Sequence, residues 1–293
     1  EAGLDEATPA FSLDTQCCSG LDAISLAASR VRAGDADVII CGGLESYSRA
    51  PTRQHRPLKA GDPPVAYDRP PFTPWLDRDP DMLDAAAALA EARAVSRADQ
   101  DAYAVESHRR ASTDTEVARE ITPVAGHDRD GFTRTLSIKA CARLPVLAGT
   151  SAHGLSAATT AVEADAAAAL LVVNDRIEAA GFDPSQPALA PVVAVRNLLA
   201  RTGVSAADIA YVEIMEAFAV QAMACIDDLG FDPTCVNQRG GALARGHPIG
   251  ASGAILAVRL FHDLAARGGG ALGLAAIAAA GGLGSALMMR AQP

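Results

Sequence analysis

The sequence predicts an α/β protein built from two similar halves, with an insertion in the first. Three observations carry that reading. A strand, tight turn, helix and strand follow one another at the start of the chain. The same order recurs near the C-terminus, and between the two lies a proline-rich segment that gives way to helical patterning. The chain has 293 residues, 49% of them apolar and 4% aromatic. That suffices for two ordinary domains or one large duplicated one with an aliphatic core.

The elements follow in order. Phe11–Thr15 reads as a short extended run, Cys17-Cys18-Ser19-Gly20 as a turn, and Leu21–Val31 as a helix ending at Gly34. Asp37–Cys41 is a β-branched buried strand closed by Gly42-Gly43. Residues 48–80 hold many of the prolines, Trp75 and a run of basic side chains, and read as irregular. Asp81–Ser112 is helical, with a good helix start at Ser96 and an amphipathic stretch over Asp99–Arg110. Ala164–Val173 returns to a buried-strand composition, Arg176–Gly181 to a strand and Pro191–Ala200 to a helix. Near the end come extended Thr234–Asn237, a glycine-rich turn over Gly240–Gly250, helix Ala251–Ala266, strand Ala271–Ala278 and Gly281-Gly282.

Charge and cysteine content remove several classes of function. The 25 Lys+Arg against 35 Asp+Glu leave a net charge of −10, which supplies no basic footprint for nucleic acid. High apolar content excludes wholesale disorder. None of the six cysteines shows C-x-x-C spacing, and adjacent Cys17 and Cys18 would make a strained mutual disulfide. The acidic start Glu1–Asp5 lacks the basic region of a signal peptide, and no run free of charge and glycine is long enough to span a bilayer. The expectation is a reducing, cytoplasmic setting with thiols free.

Two clusters could carry chemistry. Cys17 stands after an extended run and before a helix, where the macrodipole and free N–H groups favour a thiolate and could hold an oxyanion. A buried, inert cysteine is the competing reading. The Gly240–Gly253 stretch lets backbone approach a ligand closely, and His247 at its centre can act as a general base. A glycine-rich surface loop with an idle histidine competes with it. His55, His108, His127, His153 and His262 read as surface or loop groups.

Gln16-Cys17-Cys18-Ser19-Gly20-Leu21, Glu216-Ala217-Phe218-Ala219, the Gly240–Gly253 block and Gly281-Gly282-Leu283-Gly284, in this order, resemble the thiolases. The resemblance covers nearly the whole chain, and Ser96–Arg110 looks like a helix of that family's loop domain. It implies a thiolase fold: two duplicated βαβαβαββ-type halves in a layered α-β-α-β-α arrangement with a loop-domain insertion. The expected division is 1–47 plus 157–175, then the insertion 48–156, then 176–293. It implies a CoA-dependent acyltransferase with coenzyme A as co-substrate, no permanent cofactor and no metal, acting as a homodimer or homotetramer without nucleic acid or membrane partners.

The resemblance also assigns roles. Cys17 is the expected nucleophile, Cys18 a bystander, and His247 the group that activates Cys17 and points into one oxyanion hole. The N–H groups of Cys17 and Ala280 are expected to form a second hole, and Thr160, Phe218 and Gly281 to meet substrate. Two positions depart from the family. Its Asn-Glu-Ala-Phe motif reads Met215-Glu216-Ala217-Phe218, so the water-holding Asn is lost, and its second, proton-moving cysteine falls at Ala278. Methionine offers no donor and alanine moves no proton. Glu216 is the candidate for support; a buried carboxylate bonded to backbone N–H groups is the other reading. Arg49, Arg53, Arg56 and Lys59 either meet CoA phosphates or form a solvated run.

These departures predict a protein that forms an acyl-Cys17 intermediate but has impaired Claisen chemistry. Alternatives are an acyl-CoA hydrolase and a non-catalytic acyl-CoA-binding subunit. The fold's first strand–helix units are missing ahead of Cys17, as is a helix after Val172-Val173-Asn174-Asp175. Backbone left unpaired by a missing strand is costly, so residues beyond these 293 or a partner chain are expected to complete the sheet.

Overall fold

The computed structural model describes residues 3–5, 8–172 and 177–292, with backbone alone for 177–181. Residues Glu1–Ala2 and 173–176, on which expectations about the leader and the missing helix rest, lie outside the described residues.

Helix α1 (Ser19–Ala33) ends where Gly34 takes φ +82°, a left-handed cap that glycine adopts without strain. Strand β1 (Ile39–Glu45) is followed by the two-residue strands β2 (Gln54–His55) and β3 (Val65–Ala66), then α2 (Met82–Ala92), α3 (Arg97–Ser112) and α4 (Ile138–Cys141). The expected long helix over 81–112 is therefore two. Ala94 sits at φ +51° between them, and Ser96 caps α3 by accepting from the Asp99 N–H. After β4 (Ala166–Val172) come β5 (Ile177–Gly181), α5 (Ala190–Thr202), β6 (Ile209–Ile214), α6 (Ala219–Leu229), α7 (Ala242–Arg245), α8 (Ile249–Arg267), β7 (Leu272–Ala279) and β8 (Leu283–Arg290).

β1 and β4 pair antiparallel, and the C-terminal sheet runs β5-β8-β7-β6, with β6 and β7 parallel and the rest antiparallel. Thr234–Asn237 contributes one parallel bridge, Val212 to Val236. Helices α1 and α8 lie between the two sheets. Leu21, Ile24, Leu260, Ala275, Ile277 and Leu287 form the core there. On the far face of the C-terminal sheet, α5 and α6 cover Val212, Ile214, Leu274, Ala276 and Met288. Adjacent β7 residues thus face different cores, which is why the strand is apolar throughout.

Three expectations need correction. Phe11–Thr15 forms no strand among the described residues, because no strand lies beside it, and Phe11 is 63% exposed. Gly42-Gly43 does not close β1 but lies within it. A Cβ on Gly42 would fall 2.0 Å from Ala168 O, and one on Gly43 2.1 Å from Gly250 O. β4 is half-buried rather than buried, since Leu171, like Ile40 and Leu44 beside it, faces outward.

Helix α8 is long and apolar enough to cross a membrane by length and composition alone. Here it is a core helix. Leu256, Leu260 and Leu264 are buried, and Arg259, 2% exposed, pairs with Glu213 of β6 at 3.3 Å.

Candidate active site

Gln16, immediately before Cys17, takes φ +55°, a strained setting for a residue with a side chain. Its N–H donates to Asp14 Oδ1 at 2.8 Å, and a single 3-10 turn, Gln16–Cys18, leads into α1. Cys17 is thereby presented at the mouth of the helix. Its thiol is not held as a thiolate, contrary to what the helix terminus alone predicts. Burial pushes it up to about 12, local hydrogen bonding opposes this only in part, and Glu45 and Asp14 add to the rise. Desolvation outweighs the helix dipole here.

α1 and α8 cross at glycines. A Cβ on Gly20 would stand 2.5 Å from Ala254 N, and one on Gly253 2.5 Å from Leu21 N. This close approach brings the start of α1, with Cys17, against the N-terminal turns of α8. Ser252 of that turn meets the ring of His247, Nδ1 to Oγ 2.7 Å. The His247 N–H donates to Val162 O at 2.6 Å. Burial draws the imidazole down to about 4, so it is neutral at physiological pH. Cys17 and His247 therefore rest as a neutral thiol and a neutral base rather than an ion pair. Glu45, at the end of β1, accepts the Gly250 N–H at 3.0 Å and ties the first sheet to α8.

Segment 159–163 joins the other candidates. Thr160 bridges to Phe218, and Ala161 N–H donates to Ala217 O at 2.9 Å. The Thr160 hydroxyl is buried without a partner among the described residues, which leaves it available to a ligand. Phe218, 6% exposed, packs into the core between α5, α6 and the sheet instead of lining an open surface. Met215, 2% exposed, donates its N–H to Ala276 O at 3.0 Å and packs in the cluster that holds Cys18 and Ile277. Ala278 lies one residue before the end of β7, Ala280 is buried in the following turn, and Gly281, φ +80°, approaches Phe72 O of the insertion.

Glu216 points elsewhere. Its carboxylate accepts from Tyr103 Oη at 3.1 Å, Ser107 Oγ at 2.7 Å, Asn237 Nδ2 at 2.8 Å and the Leu243 N–H at 3.2 Å. These four donors occupy it. It knits the insertion helix α3 to the loop before α7, with three side chains and one backbone group rather than the backbone set expected. His108 is also corrected. It is 1% exposed, not a surface group, and its Nδ1 accepts the Arg134 N–H at 3.2 Å because that face of α3 turns inward. Arg49, Arg53, Arg56 and Lys59 are exposed.

Sequence reasoning missed Ser252, Asn237 and Glu45. Ser252 lay inside a recognised motif without an assigned task. Asn237, at φ +45°, mimics a strand neighbour by bonding both backbone groups of Ile214 at 2.9 Å. No local pattern announces either contact.

Among known proteins, the family model described as "Thiolase, N-terminal domain" matches residues 1–176, and "Thiolase, C-terminal domain" matches residues 168–291. The chain is 38% identical over 308 residues to a Bacillus subtilis (strain 168) protein named "Putative acetyl-CoA C-acetyltransferase YhfS", covering 98% of this chain and 81% of that one. A Staphylococcus aureus (strain N315) protein named "Putative acetyl-CoA C-acetyltransferase VraB" is 34% identical over 94% of this chain and 81% of its own. Human mitochondrial 3-ketoacyl-CoA thiolase, solved in complex with CoA, superposes with a TM-score of 0.89 at 27% identity, over 99% of this chain and 80% of that one. The Acat5 thiolase from Ascaris suum, in complex with coenzyme A, gives 0.85 at 30% identity, over 98% and 80%.

Proposed function

The chain belongs to the thiolase family, and from that premise we propose that it takes an acyl group from an acyl-CoA or 3-ketoacyl-CoA onto Cys17 and is weak in Claisen chemistry. The observation that supports this is the α1–α8 crossing, which packs the helix that follows Cys17 against α8, whose Ser252 meets the imidazole of His247. His247 accepts the thiol proton as the sulfur attacks the thioester carbon of an acyl-CoA or the 3-keto carbon of a 3-ketoacyl-CoA. The oxyanion is held by the N–H groups of Cys17 and Ala280. The proton passes to the departing group, the CoA sulfur in the first case and the α-carbon of the released acyl-CoA in the second. One difficult transfer becomes two easier ones.

The second step is where this chain departs. Deprotonating a second acyl-CoA at its α-carbon needs a base near Ala278 and a donor near Met215. Loss of an acid–base group costs about 10²–10⁴ in rate, and loss of an oxyanion donor about 10²–10³. Glu216 does not replace them, since its oxygens are already bonded. Water is then the competing acyl acceptor, its proton taken by His247 and the free acid released. That makes hydrolysis the second reading, favoured by the alanine at 278.

Thr160 and Gly281 are assigned to substrate, and the buried, unpartnered Thr160 hydroxyl supports the first of these. The division into 1–47 with 157–175, 48–156 and 176–293, a cytoplasmic setting and a homo-oligomeric state belong to the same proposal. The test is turnover of short- and long-chain 3-ketoacyl-CoA with CoA, beside an Ala278→Cys, Met215→Asn variant. A gain of at least tenfold supports the reading; equal, fast turnover by both proteins overturns it.

A further inference from the structure

A buried charge cluster joins the insertion to the loop that carries His247, and acyl transfer leaves it without a task. Asp114 follows α3, with its side chain 1% exposed. Its Oδ2 accepts from Arg245 Nη2 at 2.6 Å and from Arg239 Nη1 at 3.2 Å. Arg245 also donates to Asp130 Oδ2 at 2.5 Å and to Arg239 O at 2.8 Å. Arg239 donates to Asp263 Oδ1 of α8 at 2.9 Å and pairs with Glu120.

The two arginines stand at the ends of residues 240–244, and Arg245 lies two residues before His247. Regular structure holds this loop only through the four residues of α7, and Gly246 at φ +100° breaks the chain direction before the histidine. Ion pairs removed from water are a weak source of net stability, because desolvation consumes most of the attraction. Their geometric effect is larger: one carboxylate shared by two guanidinium groups fixes both ends of the loop. His247 itself is held by its N–H bond to Val162 O and by Ser252 Oγ at its Nδ1, neither of which holds the loop before it.

We propose that Asp114 is a positioning residue for His247, holding the loop through Arg239 and Arg245 so that the imidazole reaches Cys17. This rests on the reading of His247 as the base for Cys17. A displacement near 1 Å costs about 10²-fold in rate.

The experiment compares wild type, Asp114→Ala, the isosteric Asp114→Asn and His247→Ala. It records CoA release in the first turnover with acetyl-CoA, alkylation of Cys17 by iodoacetamide, and unfolding midpoints. Folded Asp114 variants are expected to acylate 10- to 100-fold more slowly, with the half-saturating acetyl-CoA concentration within threefold of wild type. Alkylation should slow in parallel, as in His247→Ala. Should Asp114→Ala fail to fold, Asp114→Asn decides. Wild-type acylation and alkylation rates in a folded Asp114 variant overturn the proposal, as does a loss explained wholly by the unfolded fraction. If wild type takes no acyl group, the acyl-Cys17 reading fails, while alkylation still decides whether Asp114 acts through His247.

Discussion

His247 Nδ1 lies 2.7 Å from Ser252 Oγ, and the Ser252 hydroxyl donates its one proton to Pro248 O at 2.9 Å. On this geometry the ring proton is assigned to Nδ1, which leaves Nε2 with a lone pair. The serine fixes the tautomer that a base for Cys17 requires. Ser252→Ala is expected to slow acylation roughly tenfold and cost about 1 kcal/mol of stability. Stopped-flow CoA release and urea unfolding read the two effects, and an unchanged acylation rate would refute the tautomer argument.

Cys17 and His247 are shifted in opposite senses, the thiol up to about 12 and the imidazole down to about 4. The resting pair is neutral. Iodoacetamide inactivation should therefore climb steadily with pH through 9. A plateau of fast alkylation near pH 5 to 6 would reveal an ion pair and contradict this.

Gly253→Ala sets two effects against each other. Alanine improves a helix interior by roughly 0.5–1 kcal/mol. Its Cβ here falls 2.5 Å from Leu21 N and 3.0 Å from Leu21 Cβ, and overpacking costs about 1–3 kcal/mol. The clash wins, so the variant should unfold at lower urea and acylate more slowly as α1 and α8 separate. Equal or greater stability would mean that the crossing is looser than described.

Stability against pH has three main contributors in the range from 7 down to 4.5. Burial holds His108 and His247 at about 4, below their 6.5 reference. The unfolded chain then binds more protons, and their contribution is lost as pH falls through that window. Glu213, held up at about 7 from 4.5 by burial against the pull of Arg259, acts the other way. Two histidines outweigh one acid, so wild type should lose stability modestly between pH 7.5 and 5. Glu213→Gln should lose it steeply, and His108→Gln, with one histidine left opposing one acid, should lose little or none. Chemical denaturation at the two pH values checks the order, and a steeper loss in His108→Gln would refute it.

Much of the fold was legible because its signals are local. The α1 helix with Gly34, strand β7 and helix α8 follow from periodicity and capping residues. The candidate pair Cys17 and His247 was marked through motif resemblance. What escaped depends on partners distant in sequence. Gly42-Gly43 read as a turn because nothing local says that Ala168 and Gly250 press against them. His108 read as exposed because the residues that cover it come from elsewhere in the chain. Asp114 carries no local signal of its task, because Arg239 and Arg245 reach it only through the fold. Cys17 read as a thiolate because a helix terminus is visible in sequence and desolvation is not.

The central claim is that Cys17 accepts an acyl group and, with alanine at position 278, passes it on slowly to carbon. Intact-protein mass spectrometry with peptide mapping, after brief incubation with acetyl-CoA, tests it most directly. The expected result is one acetyl group per chain on Cys17, absent in Cys17→Ala, reduced in His247→Ala, and persisting longer than in the Ala278→Cys, Met215→Asn variant supplied with excess acetyl-CoA. No adduct on Cys17 in folded wild-type protein, at any time and pH at which free CoA appears, would contradict it.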